Sequence, residues 1–130
     1  MVWGDTFKFW KDNVSKSPNN IHSRINLGRA YIRKKLYDEA INQFKAAIKI
    51  DPGNAAAHFD LGTIYMRQNI YDMAITSLKA SIPLAKPYYA AGAHKNIGII
   101  LQRLGKQDEA EKELAAWRNI MEQLEQPQLQ

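Results

Sequence analysis

Three sets of side chains with chemical potential recur along this 130-residue chain, two of them at spacings of 34 and then 36 residues and the third as a pair 36 apart. Arg33, Arg67 and Arg103 form a row of guanidinium groups, whose forked N–H donors match a carboxylate or a phosphate. Asn26, Asp60 and Asn96 form a second row. A side-chain amide both donates and accepts, so it can grip a peptide backbone whatever its sequence; Asp60 breaks the row, because an ionised carboxylate only accepts. His58 and His94 share a third position. Two imidazoles could hold one metal ion, but an imidazole filling the same bulky slot in each repeating segment explains the spacing, and no metal site is expected.

Other chemistry is missing from the residues. The chain has no Cys, so thiolate nucleophiles, disulfides and Cys metal sites are excluded. Gly105-Lys106 lacks the rest of a phosphate loop, and no HExxH, GxSxG, EF-hand or dinucleotide fingerprint occurs. No catalytic residue and no cofactor is expected, and the chain reads as a non-enzyme. The net charge is +5, with 45% apolar and 24% charged residues, an ordinary globular balance. No apolar run approaches the roughly 18 residues of a membrane span, so no direct membrane insertion is expected.

The elements that carry these rows are helical. Leu27-Gly28-Arg29-Ala30-Tyr31 is echoed by Leu61-Gly62-Thr63-Ile64-Tyr65 and, more loosely, by Ile97-Gly98-Ile99-Ile100-Leu101. Tyr37-Asp38-Glu39-Ala40 is echoed by Tyr71-Asp72-Met73-Ala74 and Gln107-Asp108-Glu109-Ala110. Apolar residues follow helical spacing, as in Ile25, Leu27, Ala30, Tyr31 and then Ala40, Ile41, Phe44, Ala47, Ile48. Gly28, Gly62 and Gly98 fall inside helices, where Gly costs about 1 kcal/mol relative to Ala. Close approach of two backbones is the expected reason, with Ala40, Ala74 and Ala110 facing the contact. Turns are placed at Lys35, Asn69 and Gly105. Ser17-Pro18-Asn19-Asn20 and Asp51-Pro52-Gly53-Asn54 each stop one helix and cap the next. Pro83 and Pro87 end one helix early. Seven helices are predicted, over 5–16, 21–34, 37–50, 55–68, 71–82, 88–104 and 107–125.

A period of 34 residues with Leu-Gly, Tyr, Ala, an aromatic (Phe44) and Pro (Pro52) resembles the tetratricopeptide repeat (TPR) family. Three units match, over 21–54, 55–88 and 91–124, with Tyr89 and Ala90 inserted before the last. Residues 5–20 read as a partial repeat with Trp10 in the aromatic position, so 1–130 reads as one TPR domain. The resemblance implies an all-α, right-handed superhelical α-solenoid of antiparallel helix pairs. The stripe Leu114, Trp117, Ile120, Met121 and Leu124, beside several Glu residues, suits a solvent-facing terminal cap.

The same resemblance implies a concave groove lined by the first helix of each unit. Its peptide-binding residues would be Ile25, Asn26, Arg29 and Arg33, then Phe59, Asp60, Thr63, Met66 and Arg67, then Lys95, Asn96, Ile99 and Arg103. The family's clamp for chaperone tails would fall on Ile25, Arg29, Asp60, Gly92 and Asn96, and the clamp residues are absent there. The row Asn26, Asp60, Asn96 resembles the asparagine ladder of O-linked N-acetylglucosamine transferase. Cations also suit helix C-termini, which alone accounts for one Arg per first helix. If the Arg row reads a ligand, first helices about 8–10 Å apart and a strand rise of about 3.3 Å ask for an acid at every third residue.

The expected function is therefore a protein-interaction scaffold that binds a partner peptide, an acidic one on this charge. The alternative is a structural or self-assembling segment, through the aromatic helix bearing Trp3, Phe7, Phe9 and Trp10. The stretch 9–20 also looks like the junction in bacterial multi-pass membrane proteins of glycosyltransferase type that carry TPRs. That would make the chain the soluble part of a larger protein, periplasmic or extracytoplasmic rather than cytoplasmic. Nucleic acid fits poorly, because no recognition motif or stacking platform accompanies the Arg row. The charge is also polar along the chain: residues 1–105 hold 15 Lys+Arg against 7 Asp+Glu, and 106–130 hold 3 against 6.

Overall fold

The computed structural model describes residues 2–126, with side chains from residue 6 onward. Seven α-helices follow one another among these residues: α1 (Val2–Lys16), α2 (Ile21–Arg33), α3 (Tyr37–Ile50), α4 (Ala55–Arg67), α5 (Tyr71–Ser81), α6 (Pro87–Arg103) and α7 (Gln107–Glu125). A 3₁₀ turn, Ile82–Leu84, lies between α5 and α6. The expected ranges hold to within a residue, except that α1 begins at Val2. Trp3 falls among residues whose side chains lie outside the described part.

Helix starts and stops have local causes. Asn20 and Asn54 cap α2 and α4, their Oδ1 atoms accepting from the backbone N–H groups of Ser23 (3.1 Å) and Ala57 (2.9 Å). α6 starts instead on Pro87, whose ring presets the helical φ. Each first helix then ends in a Schellman motif. Leu36, Ile70 and Lys106 donate their N–H groups to Tyr31, Tyr65 and Leu101, while Lys35, Asn69 and Gly105 donate to Ile32, Met66 and Gln102. The middle residue takes a positive φ in all three: 60° at Lys35, 61° at Asn69 and 76° at Gly105. Lys35 adopts this conformation against its Cβ, so the turn is set by the helices around it rather than by its own preference.

The pairs α2–α3, α4–α5 and α6–α7 pack most intimately, and α1 packs on α2. The helical glycines explain the closeness: an added Cβ would lie 3.1 Å from the Leu78 backbone N at Gly62 and 3.4 Å from the Ala110 carbonyl at Gly98, as the expected backbone approach requires. Ala40, Ala74 and Ala110 are buried as expected. The nearest atoms above each glycine belong to a large side chain from the second helix. A Cβ on Gly28 would lie 2.7 Å from Phe44 Cζ; on Gly62, 2.7 Å from Leu78 Cγ; on Gly98, 2.7 Å from Leu114. Phe44 and Leu78 are fully buried at these notches, and Ile64, Ile97 and Ile100 continue the core between pairs.

The first pair lacks an equivalent on its outer side. Trp10 holds the position of Phe44 one period earlier, yet it is only half-buried and meets Phe9 edge to face at 4.8 Å. No described helix lies beyond it. α1 docks mainly through Val14 and through Phe7, whose ring meets Tyr31 at 5.2 Å.

Tyr89 and Ala90, which repeat alignment leaves between units, lie inside α6. α5 is three residues shorter than α3, the connection 82–86 is one residue longer than 51–54, and α6 is four residues longer than α4. The two-residue insertion is thus redistributed into one extra N-terminal turn on α6, about 6 Å of added helix. Ser81, at the shortened end of α5, is fully buried and donates its hydroxyl to the Leu78 carbonyl at 2.7 Å.

The notches separate two kinds of glycine. Gly62→Ala is expected to lower stability by about 1–2 kcal/mol, because overpacking against Leu78 outweighs the helix-propensity gain. Gly92 lies in α6 with its added Cβ 3.5 Å from Phe59, an ordinary contact. Gly92→Ala is therefore expected to raise stability by up to about 1 kcal/mol. Urea unfolding of both variants checks the pair; opposite signs are required.

Candidate peptide-binding groove

The first helices α2, α4 and α6 lie side by side, α4 touching both of its neighbours. Their facing surfaces carry the candidate residues. Asn26, Asp60 and Asn96 are half-buried at one level, and Phe59, Met66 and Ile99 are half-buried beside them. Arg29, Arg67 and Arg103 are exposed. Arg33 is exposed too and lines a cleft of about 380 Å³ between α1 and α2, with Thr6, Ala30 and Lys34.

Several candidates are already engaged. Arg29 Nε lies 2.8 Å from Asp60 Oδ2, a bond from α2 to α4 across the groove floor. Asp60 therefore ties two helices together, a role invisible at its place in the Asn row. Ile25 is only 5% exposed and belongs to the core, so it offers the groove almost no surface. The Thr63 hydroxyl donates to the Phe59 carbonyl one turn back, at 2.7 Å. The Lys95 ammonium sits 4.9 Å from the centre of the Trp117 ring, drawn toward α7. The equivalent histidines part company: His58 Nε2 contacts the Pro52 carbonyl at 2.8 Å, and His94 Nδ1 meets Glu113 Oε2 at 2.6 Å.

At one end of the groove the sequence reading found Arg29 and Phe59 but missed the residues beside them. Phe59, Leu84, Ala85, Lys86 and Tyr89, with Arg29 and the first residues of α4 (Asn54, Ala55, Ala56), line a cleft of about 340 Å³. Tyr89 meets Phe59 edge to face at 6.4 Å, and Tyr88 meets Tyr89 at 5.8 Å. The available signal was the insertion itself together with Pro83 and Pro87.

Burial raises the Asp60 carboxyl above its ordinary value near 3.8, while the charge and hydrogen bond of Arg29 pull it back. The folded chain thus holds this proton to higher pH than the unfolded chain does. The stabilisation linked to that proton is complete below the ordinary value and is lost as pH rises through the folded value. Asp60→Asn is expected to remove this decline. Its melting temperature should gain on that of the parent as pH rises across the window, and a constant difference at every pH would show that Asp60 titrates normally.

A family model described as "TPR repeat" matches residues 28–69. No curated protein sequence matches the chain. Among solved structures, "Crystal structure of MamA" is 25% identical over 88% of this chain and 66% of its own, with a TM-score of 0.80. "Crystal structure of MamA protein" is 24% identical over 98% and 70%, with a TM-score of 0.85. "MamA MSR-1 C2" is 22% identical over 95% and 70%, with a TM-score of 0.81. The chain spans about two thirds of the length of the solved chains it resembles.

Proposed function

Starting from its place in the tetratricopeptide-repeat family, we propose that this protein is a non-enzymatic interaction scaffold that holds an acidic, extended partner peptide against α2, α4 and α6. One observation carries the acidic part. Charge is segregated between the two helical layers. The first helices α2, α4 and α6 hold six Lys+Arg (Arg24, Arg29, Arg33, Arg67, Lys95, Arg103) and one acid, Asp60, which Arg29 already engages. The second helices α3, α5 and α7 hold nine Asp+Glu against five Lys+Arg.

Magnitudes divide the work between charge and apolar contact. Exposed ion pairs contribute about 0–1 kcal/mol each, so a few of them fall short of the roughly 8 kcal/mol of a micromolar complex. Phe59, Met66 and Ile99 supply the remainder, and the cations set sign selectivity and on-rate. Arg67→Glu combined with Arg103→Glu is expected to weaken an end-blocked acidic peptide at least about tenfold, a loss near 1.4 kcal/mol, with the helical content unchanged. Equal affinity for both proteins in a titration would remove groove charge from the reading.

A second reading, assembly of copies end to end, is favoured by the two ends of the solenoid. Phe9 is 56% exposed on α1, while α7 holds six Asp+Glu and leaves Leu124 48% exposed. On this reading, light scattering at rising concentration gives a growing mass that Phe9→Ala reduces. A monomer in both cases ends it.

A further inference from the structure

We propose that the cleft between the start of α4 and the added turn of α6 is an anchor pocket for one aromatic side chain of an acidic partner segment. The inference rests on the groove reading above and adds where the affinity is concentrated and which residue of the partner enters.

The pocket exists because of the insertion. Shortening α5 and lengthening α6 lifts Tyr88 and Tyr89 onto an extra turn, and the 82–86 connection brings Leu84 and Lys86 beside them. Leu84, Tyr88 and Tyr89 are 46%, 65% and 55% exposed. Isolated exposed apolar residues need no explanation, but three within six positions form a patch, and patches of this kind mark docking sites. The volume, about 340 Å³, lies at the bottom of the range for ligand pockets, roughly 300–1,000 Å³. That is room for one large side chain. Phe59 and Tyr89 meet edge to face, so an entering ring can extend the same offset arrangement.

Charge decides what stands beside that ring. The lining includes two cations, Arg29 and Lys86, and no carboxylate. Only the Nε of Arg29 is engaged by Asp60, and the Lys86 side chain is exposed at the rim. A partner carrying Asp or Glu next to its aromatic residue satisfies both walls, whereas a basic neighbour meets like charge.

The test is fluorescence anisotropy with a labelled, end-blocked Glu-Glu-Trp-Glu-Glu peptide and the full chain. Tyr89→Ala and Lys86→Glu change exposed residues, and circular dichroism verifies that the helices persist. Each is expected to weaken the probe at least about fivefold, the size of a direct pairwise coupling. Replacing the peptide Trp by Ala should cost the parent protein a similar factor and cost the Tyr89→Ala protein much less. Exchanging the peptide Glu residues for Lys should restore part of the lost binding to the Lys86→Glu protein. A probe that responds to Arg67→Glu with Arg103→Glu but not to Tyr89→Ala or Lys86→Glu overturns the pocket and leaves the groove reading standing. A probe that fails to bind, or binds equally with Gln in place of Glu, overturns both. Self-association of the parent protein that Tyr89→Ala abolishes assigns the cleft to a second copy and overturns the proposal.

Discussion

The notch between a helical glycine and a large side chain of the next helix governs this solenoid. In each pair the first helix gives up a Cβ, at Gly28, Gly62 or Gly98, and the second helix fills the gap with Phe44, Leu78 or Leu114. At Gly28 and Gly62 the helix-propensity cost of Gly, about 1 kcal/mol, is offset by the full burial of Phe44 and Leu78, each worth roughly 1.5–3 kcal/mol. The interlock leaves no room for a helix to slide or rotate, because a shift in register would drive a Cβ into the ring or the Leu branch. Everything on the outer faces inherits its placement from these three contacts.

Two layers follow, and with them a division of charge. The helices that carry the glycines lie side by side and bear the candidate groove residues, and each notch-filling helix packs against its own partner. Basic residues outnumber acidic ones in the first-layer helices and acidic residues outnumber basic ones in the second, so the modest net charge of +5 conceals two helical layers of opposite sign. Bonds both across and within the layers hold neighbours together. His94 with Glu113, and Lys95 over Trp117, tie α6 to α7, while Arg29 with Asp60 ties α2 to α4. The groove is therefore less uniformly basic than a row of cations suggests, because part of that charge is committed to the scaffold.

Much of the fold was legible in the chain, for local reasons. Asn20 and Asn54 cap helices with their own side chains. Lys35, Asn69 and Gly105 close each first helix with the same hydrogen bonds, whichever residue stands there. Candidate-site residues were less legible, because recurrence at one repeat position says nothing about direction. Ile25 and Phe59 both read as groove floor, yet Ile25 turns into the core. Arg29 and Lys95 both read as groove cations, yet one is bonded to Asp60 and the other leans on Trp117. These partners sit 31 and 22 positions away, beyond anything periodicity can report.

The amino-acid sequence by itself determined the number of helices, their ends and their pairing, since caps, turns and apolar spacing act within a few residues of one another. It also marked an anomaly before the last repeat without saying what became of it. Only the tertiary structure decided that the two extra residues become a turn of α6, because helix length there depends on where α5 stops and on what Ala90 and Ala91 bury against. It likewise decided which cations remain exposed. Side-chain partners across helices are chosen by packing, and packing couples residues that the chain itself holds far apart.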